Sequence, residues 1–120
     1  MARITLFQNS PDAVEYPAGE VIFNQGDAAA SMYVIQTGEV EVIVNGQVVD
    51  TAGPGETIGE MALIDRVPRS GTARARVDST LVPVDERRFV FMVQETPYFA
   101  LQVMSVLAER LRRHNGRIPG

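Results

Sequence analysis

Between Thr57 and Thr72 the chain reads Thr-Ile-Gly-Glu-Met-Ala-Leu-Ile-Asp-Arg-Val-Pro-Arg-Ser-Gly-Thr. A glycine precedes one acid, an apolar turn follows, and a loop then carries Pro68 and Arg69 ahead of the hydroxyls of Ser70 and Thr72. A short helix over about Glu60 to Ile64 would expose backbone N–H groups at its start, and such groups suit an anion. Arg69, held by Pro68, can give a phosphate a bidentate charged contact. Ser70 can add a hydroxyl and an N–H. Glu60 is the odd member, because an acid beside a phosphate repels it. It fits if it accepts from a sugar hydroxyl on the far side of the ligand. A phosphate with a sugar hydroxyl a few ångströms away describes a compact nucleotide. The plainer reading of Glu60 is an acid that favours a helix start.

The bulk composition is compatible with such a site and excludes several others. The 120 residues suffice for one domain with one core. There is no cysteine, so disulfides, thiolate nucleophiles and zinc-thiolate centres are excluded, and a cytoplasmic location is expected. No apolar run approaches the roughly 18 residues of a membrane span, and the first ten residues do not read as a signal peptide. A net charge of -4 disfavours nonspecific nucleic-acid binding. All eleven basic residues are arginine, and Arg66, Arg69, Arg74 and Arg76 lie close together, the local concentration an acidic protein needs to bind an anion.

The elements that must hold the site follow from periodicity. Arg3 to Phe7 is expected as a first strand, Val21 to Phe23 and Met32 to Ile35 as further short strands. Val40, Val42 and Val44 alternate with Glu39, Glu41 and Ile43, and Asn45-Gly46 then introduces Gln47-Val48-Val49. That is a hairpin around a type I′ turn, whose two central residues must both tolerate positive φ. Gly71 to Val77 and Thr80 to Asp85 read as two more strands. The period changes after Asp85: a short helix over Glu86 to Gln94, then Thr96-Pro97 as N-cap and first helical residue, and a helix to about Asn115 with Gly116 just past its end. The last helix is about 27 Å long and apolar on more than one stripe, so it is expected to serve first as core and second as a dimer seam. The fold class is mainly β with C-terminal helices (α+β): one domain over 1–120, an antiparallel β-roll or jelly-roll over about 1–85 with a short cassette helix, and two helices over about 86–115. Met1 favours a whole protein over an excised domain.

These motifs together resemble the cyclic nucleotide-binding domain of catabolite activator-type regulators, cyclic-nucleotide-dependent kinase regulatory subunits and cyclic-nucleotide-gated channels. The two-part phosphate-binding cassette of that family matches Ile58-Gly59-Glu60-Met61-Ala62-Leu63 and Pro68-Arg69-Ser70-Gly71-Thr72. Tyr16 to Phe23, Gly26-Asp27, Met32 to Ile35 and Gly38 extend the resemblance upstream, and it covers nearly the whole chain. It implies that Arg69 pairs with the cyclic phosphate, that Gly59, Ala62 and Ser70 offer groups around it, and that Glu60 accepts from the ribose 2′-hydroxyl. The base would lie near Val42 under the last helix, where Arg110 is the candidate cap with Leu107, Leu111 and His114 nearby. Gln25, Ala28-Ala29 and Gly71 depart from the family pattern without touching a charged contact.

The resulting expectation is a non-enzymatic sensor with no catalytic residues, no metal and no cofactor, whose ligand is cAMP, with cGMP less favoured because Ser70 stands where threonine goes with cGMP. The chain carries no helix-turn-helix, so no direct nucleic-acid partner is expected, nor a membrane; the effector is expected to be another chain, a change in self-association, or none. The rival is a ligand-independent interaction or dimerisation module of the same fold. A cupin-like metalloenzyme would need a cluster of histidines and acids, and His114 is the only histidine, expected as an exposed helix-end residue. Arg74 and Arg76 share a strand face and are expected to be solvated or salt-bridged.

Overall fold

A computed structural model describes residues 3–115. Eight strands form two sheets in which every strand pair is antiparallel. One sheet has the order β1 (Val14–Tyr16), β8 (Ser79–Asp85), β3 (Ser31–Thr37), β6 (Thr57–Ile58); the other has β2 (Val21–Phe23), β7 (Thr72–Ala75), β4 (Val40–Val44), β5 (Gln47–Ala52). A helical turn, α1 (Met61–Ile64), interrupts the strands, and α2 (Glu86–Glu95) and α3 (Tyr98–Asn115) follow them. The expected roll with C-terminal helices is therefore the fold. No helix among the described residues is long and apolar enough to cross a membrane.

The hairpin at Asn45-Gly46 forms as expected, with φ of 51° and 82° at its two central residues, because only such residues accept that handedness cheaply. Some strands differ in extent, β7 being shorter than the expected Gly71 to Val77 and β3 and β5 longer, and β1 and β6 are not among those expected. Arg3 to Phe7 is not a strand; Gln8 N–H and Ser10 N–H donate back to Thr5 and Phe7 carbonyls in consecutive turns. Turns bring Ile4 and Phe7, three apart, to the same side, and both are buried. A strand would have sent them to opposite faces. Thr96 closes α2, its N–H donating to Met92 O at 2.8 Å, while its carbonyl accepts from Phe99 N–H at 2.9 Å. So α3 begins one residue after Pro97. Gly116, expected as the stop of α3, lies outside the described residues.

Two apolar clusters divide the interior. Ile35, Val40, Ala52, Ile58, Ala73 and Leu81 pack between the sheets. Met32, Val34, Val82 and Val84 face the other way and meet Phe99, Val103 and Val106 of α3. Those three residues sit at i, i+4 and i+7, one face of a helix. Phe99 is fully buried, edge-on to Phe7 and in contact with Phe89. The docking of α3 along β3 and β8 fixes where its C-terminal end emerges, beside the cassette.

Phe99 is thus the anchor of the helical layer. Phe99→Ala should lower unfolding free energy by about 3–5 kcal/mol in chemical denaturation; a loss below about 1 kcal/mol would mean α3 is not held by this contact.

Candidate functional site

The cassette is shaped by one glycine. Strand β6 ends at Ile58, and Gly59 turns the chain with φ of 72°. A Cβ at Gly59 would overlap Nη1 of Arg69 and press on the Phe23 ring, so the position demands glycine twice over. Glu60 follows as the N-cap residue of α1, but its side chain makes no capping hydrogen bond. Its carboxylate instead accepts from Thr57 Oγ1 at 2.8 Å and from Arg110 Nη1 at 2.9 Å, both on Oε1. The plainer reading of Glu60, as a helix-start acid only, does not describe these contacts.

Arg69 is drawn in rather than splayed out. Its backbone is tied to the Gly26-Asp27 turn: Arg69 N–H donates to Asp27 O and Gly26 N–H donates to Arg69 O, each at 2.8 Å. Its side chain is buried, with 9% exposure. Nη1 donates to Gly59 O at 3.1 Å and Nη2 to Ser31 O at 2.7 Å. The guanidinium carbon lies 3.9 Å from the centroid of Phe23, a cation–π floor. Burial holds the Arg69 pKa below the usual guanidinium value, partly offset by Tyr33, Asp27 and Glu60, but arginine remains charged at any physiological pH. Among the described residues no carboxylate pairs with it, and Nε is buried without a hydrogen-bond partner.

Each of the other three arginines of the local concentration is ion-paired with a glutamate. Arg74 pairs with Glu41 at 2.8 Å and Arg76 with Glu39 at 2.5 Å, as expected for strand-face charges. Arg66 pairs with Glu86 of α2. Register sets the Arg74 pair: Glu41 lies opposite Arg74 on the neighbouring strand, a cross-strand ion pair. Of the four clustered arginines, Arg69 is the one that lines the cavity described next.

A cavity of about 250 Å³ opens between the cassette, β4, β5 and the end of α3. Val42, Gly59, Glu60, Ala62, Arg69, Ser70 and Arg110, the seven residues singled out from the sequence, all line it. Arg110 donates to Glu60 and to the Thr57 carbonyl, so helix and cassette are joined across the mouth. Phe23, the floor beneath Arg69, and Asp50 of β5 also line it, though the sequence assigned neither a role in the site. His114 is 43% exposed, as a helix-end residue should be, yet its Nε2 also lies 3.3 Å from Asp50 Oδ2. Leu107 and Leu111, expected near Arg110, line an adjoining apolar groove of about 360 Å³ with Met61 and Ile64.

Comparison with known proteins bears on this geometry. The family model described as "Cyclic nucleotide-binding domain" matches residues 13–96. The Pycsar effector protein XpPycTIR of Xanthomonas perforans is 36% identical over 105 residues, covering 87% of this chain and 35% of that protein. The cyclic AMP receptor protein of Thermus thermophilus is 35% identical over 102 residues, covering 81% of this chain and 47% of that one. The crystal structure of the Thermus thermophilus catabolite activator protein superposes with a TM-score of 0.73 at 33% identity, covering 84% of this chain and 50% of that one. The chain thus spans half or less of the length of these relatives.

The demand for glycine at position 59 is directly testable. Gly59→Ala should cost at least about 1–2 kcal/mol of stability from the left-handed backbone alone, measured by urea unfolding. A neutral substitution would contradict the packing of Arg69 under this turn.

Proposed function

We infer that this chain, which belongs to the cyclic nucleotide-binding domain family, is a regulatory module that takes a cyclic nucleotide into the cavity between the cassette and the end of α3. The observation that carries this reading is Arg69: a buried guanidinium at the cavity wall that no carboxylate among the described residues neutralises, with a hydrogen-bond donor to spare. A phosphate supplies the missing charge. Ser70 and the backbone around Gly59 and Ala62 supply further donors. Glu60, whose Oε2 has no hydrogen-bond partner among the described residues, accepts the ribose 2′-hydroxyl. The base lies toward Val42, with Arg110 over it.

Within the family we favour cAMP over cGMP, because serine rather than threonine follows the phosphate arginine. The module binds and signals rather than catalyses: the charged groups of its cavity form a recognition set of donors and acceptors. Its place of action is the cytoplasm, in keeping with a chain without cysteine. The readout falls to an effector chain or to self-association. A ligand moves the α2–α3 layer only by its differential affinity for two arrangements.

One observation favours the rival reading as well. Leu101, Met104 and Leu111 of α3 are each more than half exposed, at the a and d spacing of a helix seam. A second copy docked on that stripe would give a dimerisation module whether or not nucleotide binds. Equilibrium dialysis against cAMP and cGMP, paired with sedimentation in the presence and absence of ligand, separates the two. Dimers without any nucleotide binding would favour the rival.

For the site itself, Arg69→Leu should weaken cAMP binding by roughly 2–5 kcal/mol, the cost of leaving a bound charge without its partner. Calorimetry reads this directly, and parental affinity in the variant would remove Arg69 from the site.

A further inference from the structure

Asp50 is an acid on the inward face of a strand. The pairing of β4 and β5 slips after Val42, which faces Asp50, so that Ile43 faces Val48 and Val49 is extra. This bulge sets Asp50 opposite Val42, where the register from the turn would have set it opposite Glu41, and strand alternation keeps Asp50 on the side of Ala52, which is buried. The Asp50 side chain is only 11% exposed and lines the cavity opposite Val42. A carboxylate in that setting needs compensating charge. It finds two arginines and a histidine, all from the C-terminal end of α3. Arg110 Nε lies 3.4 Å from Oδ2, Arg113 Nη2 donates to Oδ1 at 3.0 Å, and His114 Nε2 lies 3.3 Å from Oδ2. Positions 110, 113 and 114 are i, i+3 and i+4, one face of the helix. Arg113 also reaches Glu56 at 3.5 Å. Burial lowers the Arg113 pKa, but Asp50 and Glu56 outweigh it and the net shift is upward.

We propose that Asp50 is a positioning residue for the nucleotide site, clamping the C-terminal end of α3 so that Arg110 stands over the cavity before ligand arrives. The inference rests on the cyclic-nucleotide reading of the cavity. Its physical basis is charge and order. With the helix end lifted, Asp50 and Glu60 would face the cavity against Arg69 alone, a net negative site that repels a phosphate. With it lowered, Arg110 and Arg113 neutralise both acids, and the anion meets Arg69 without opposition. Ordering the helix end in advance also removes that entropic cost from binding. Asp50 is already matched in the closed arrangement, so its removal offers the phosphate little and deprives the helix of its anchor.

The test uses Asp50→Asn and Arg113→Gln, singly and combined, in the whole chain. Arg113 does not line the cavity, so the second variant weakens the clamp without altering the recognition set. Each single variant should raise amide hydrogen exchange at residues 110–114 of the ligand-free protein, with β3 and β8 unchanged. Each should weaken cAMP binding by about fivefold. The double variant should fall short of the product of the two single effects, because both variants remove the same Asp50–Arg113 pair. Unchanged exchange at the C-terminal end of α3, or effects on binding that multiply, would overturn the proposal. If the parent protein binds neither cAMP nor cGMP, the functional reading fails by itself, while the exchange measurement still decides whether Asp50 clamps the helix.

Discussion

The guanidinium of Arg69 is buried against Phe23 and, among the described residues, hydrogen-bonded only to the carbonyls of Ser31 and Gly59. A cation taken out of water without a counterion is costly, and the surrounding chain is arranged to tolerate it. The carbonyl of Gly59 can reach Nη1 because that residue has no Cβ and a left-handed backbone. The Gly26-Asp27 turn grips the Arg69 backbone. Strand β3 offers the Ser31 carbonyl from its first residue, and β2 offers the aromatic floor at its last. These contacts satisfy the dipolar part of the problem and leave the charge unmatched. An anion would supply the charge that this arrangement lacks.

The acids nearby define which anion can complete it. Glu60 and Asp50 line the cavity with their charge already matched by Arg110 and Arg113, so Arg69 is the cation left for a single anionic group. A ligand with one phosphate and a hydroxyl-bearing ring satisfies both walls. The end of α3 is part of the same balance, because its arginines are the counterions of those acids. Packing of Phe99, Val103 and Val106 on the sheet sets where that helix end arrives. The apolar core and the polar site are therefore linked through one rigid element. A change in either would be felt in the other.

Much of this was legible in the residues. The alternation of Val40, Val42 and Val44 and the Asn45-Gly46 turn define a hairpin locally, without help from tertiary structure. The cassette was legible because its residue types are chemically specific and contiguous. What escaped depends on register or on distant contacts. The turns at Arg3 to Phe7 weakly mimic alternation, and only burial of both Ile4 and Phe7 decides against a strand. Arg66, Arg74 and Arg76 look like an anion patch until strand pairing and α2 assign each its own glutamate. Asp50 faces Val42 only because a bulge shifts β5 by one residue, and sequence periodicity carries no sign of that shift. Phe23 reads as core until Arg69 folds over it.

The central claim is that Arg69 and Glu60 together recognise a phosphate and a ribose hydroxyl on one small ligand. Calorimetric titration of the unmodified chain with cAMP and with 2′-deoxy-cAMP tests it most directly. Both compounds share the phosphate and the base and differ only in the hydroxyl assigned to Glu60. The account predicts saturable cAMP binding and a loss of about 1.5–3 kcal/mol for the deoxy compound, the worth of a hydrogen bond to a charged group. Equal binding of the two, or no binding of either, would contradict it.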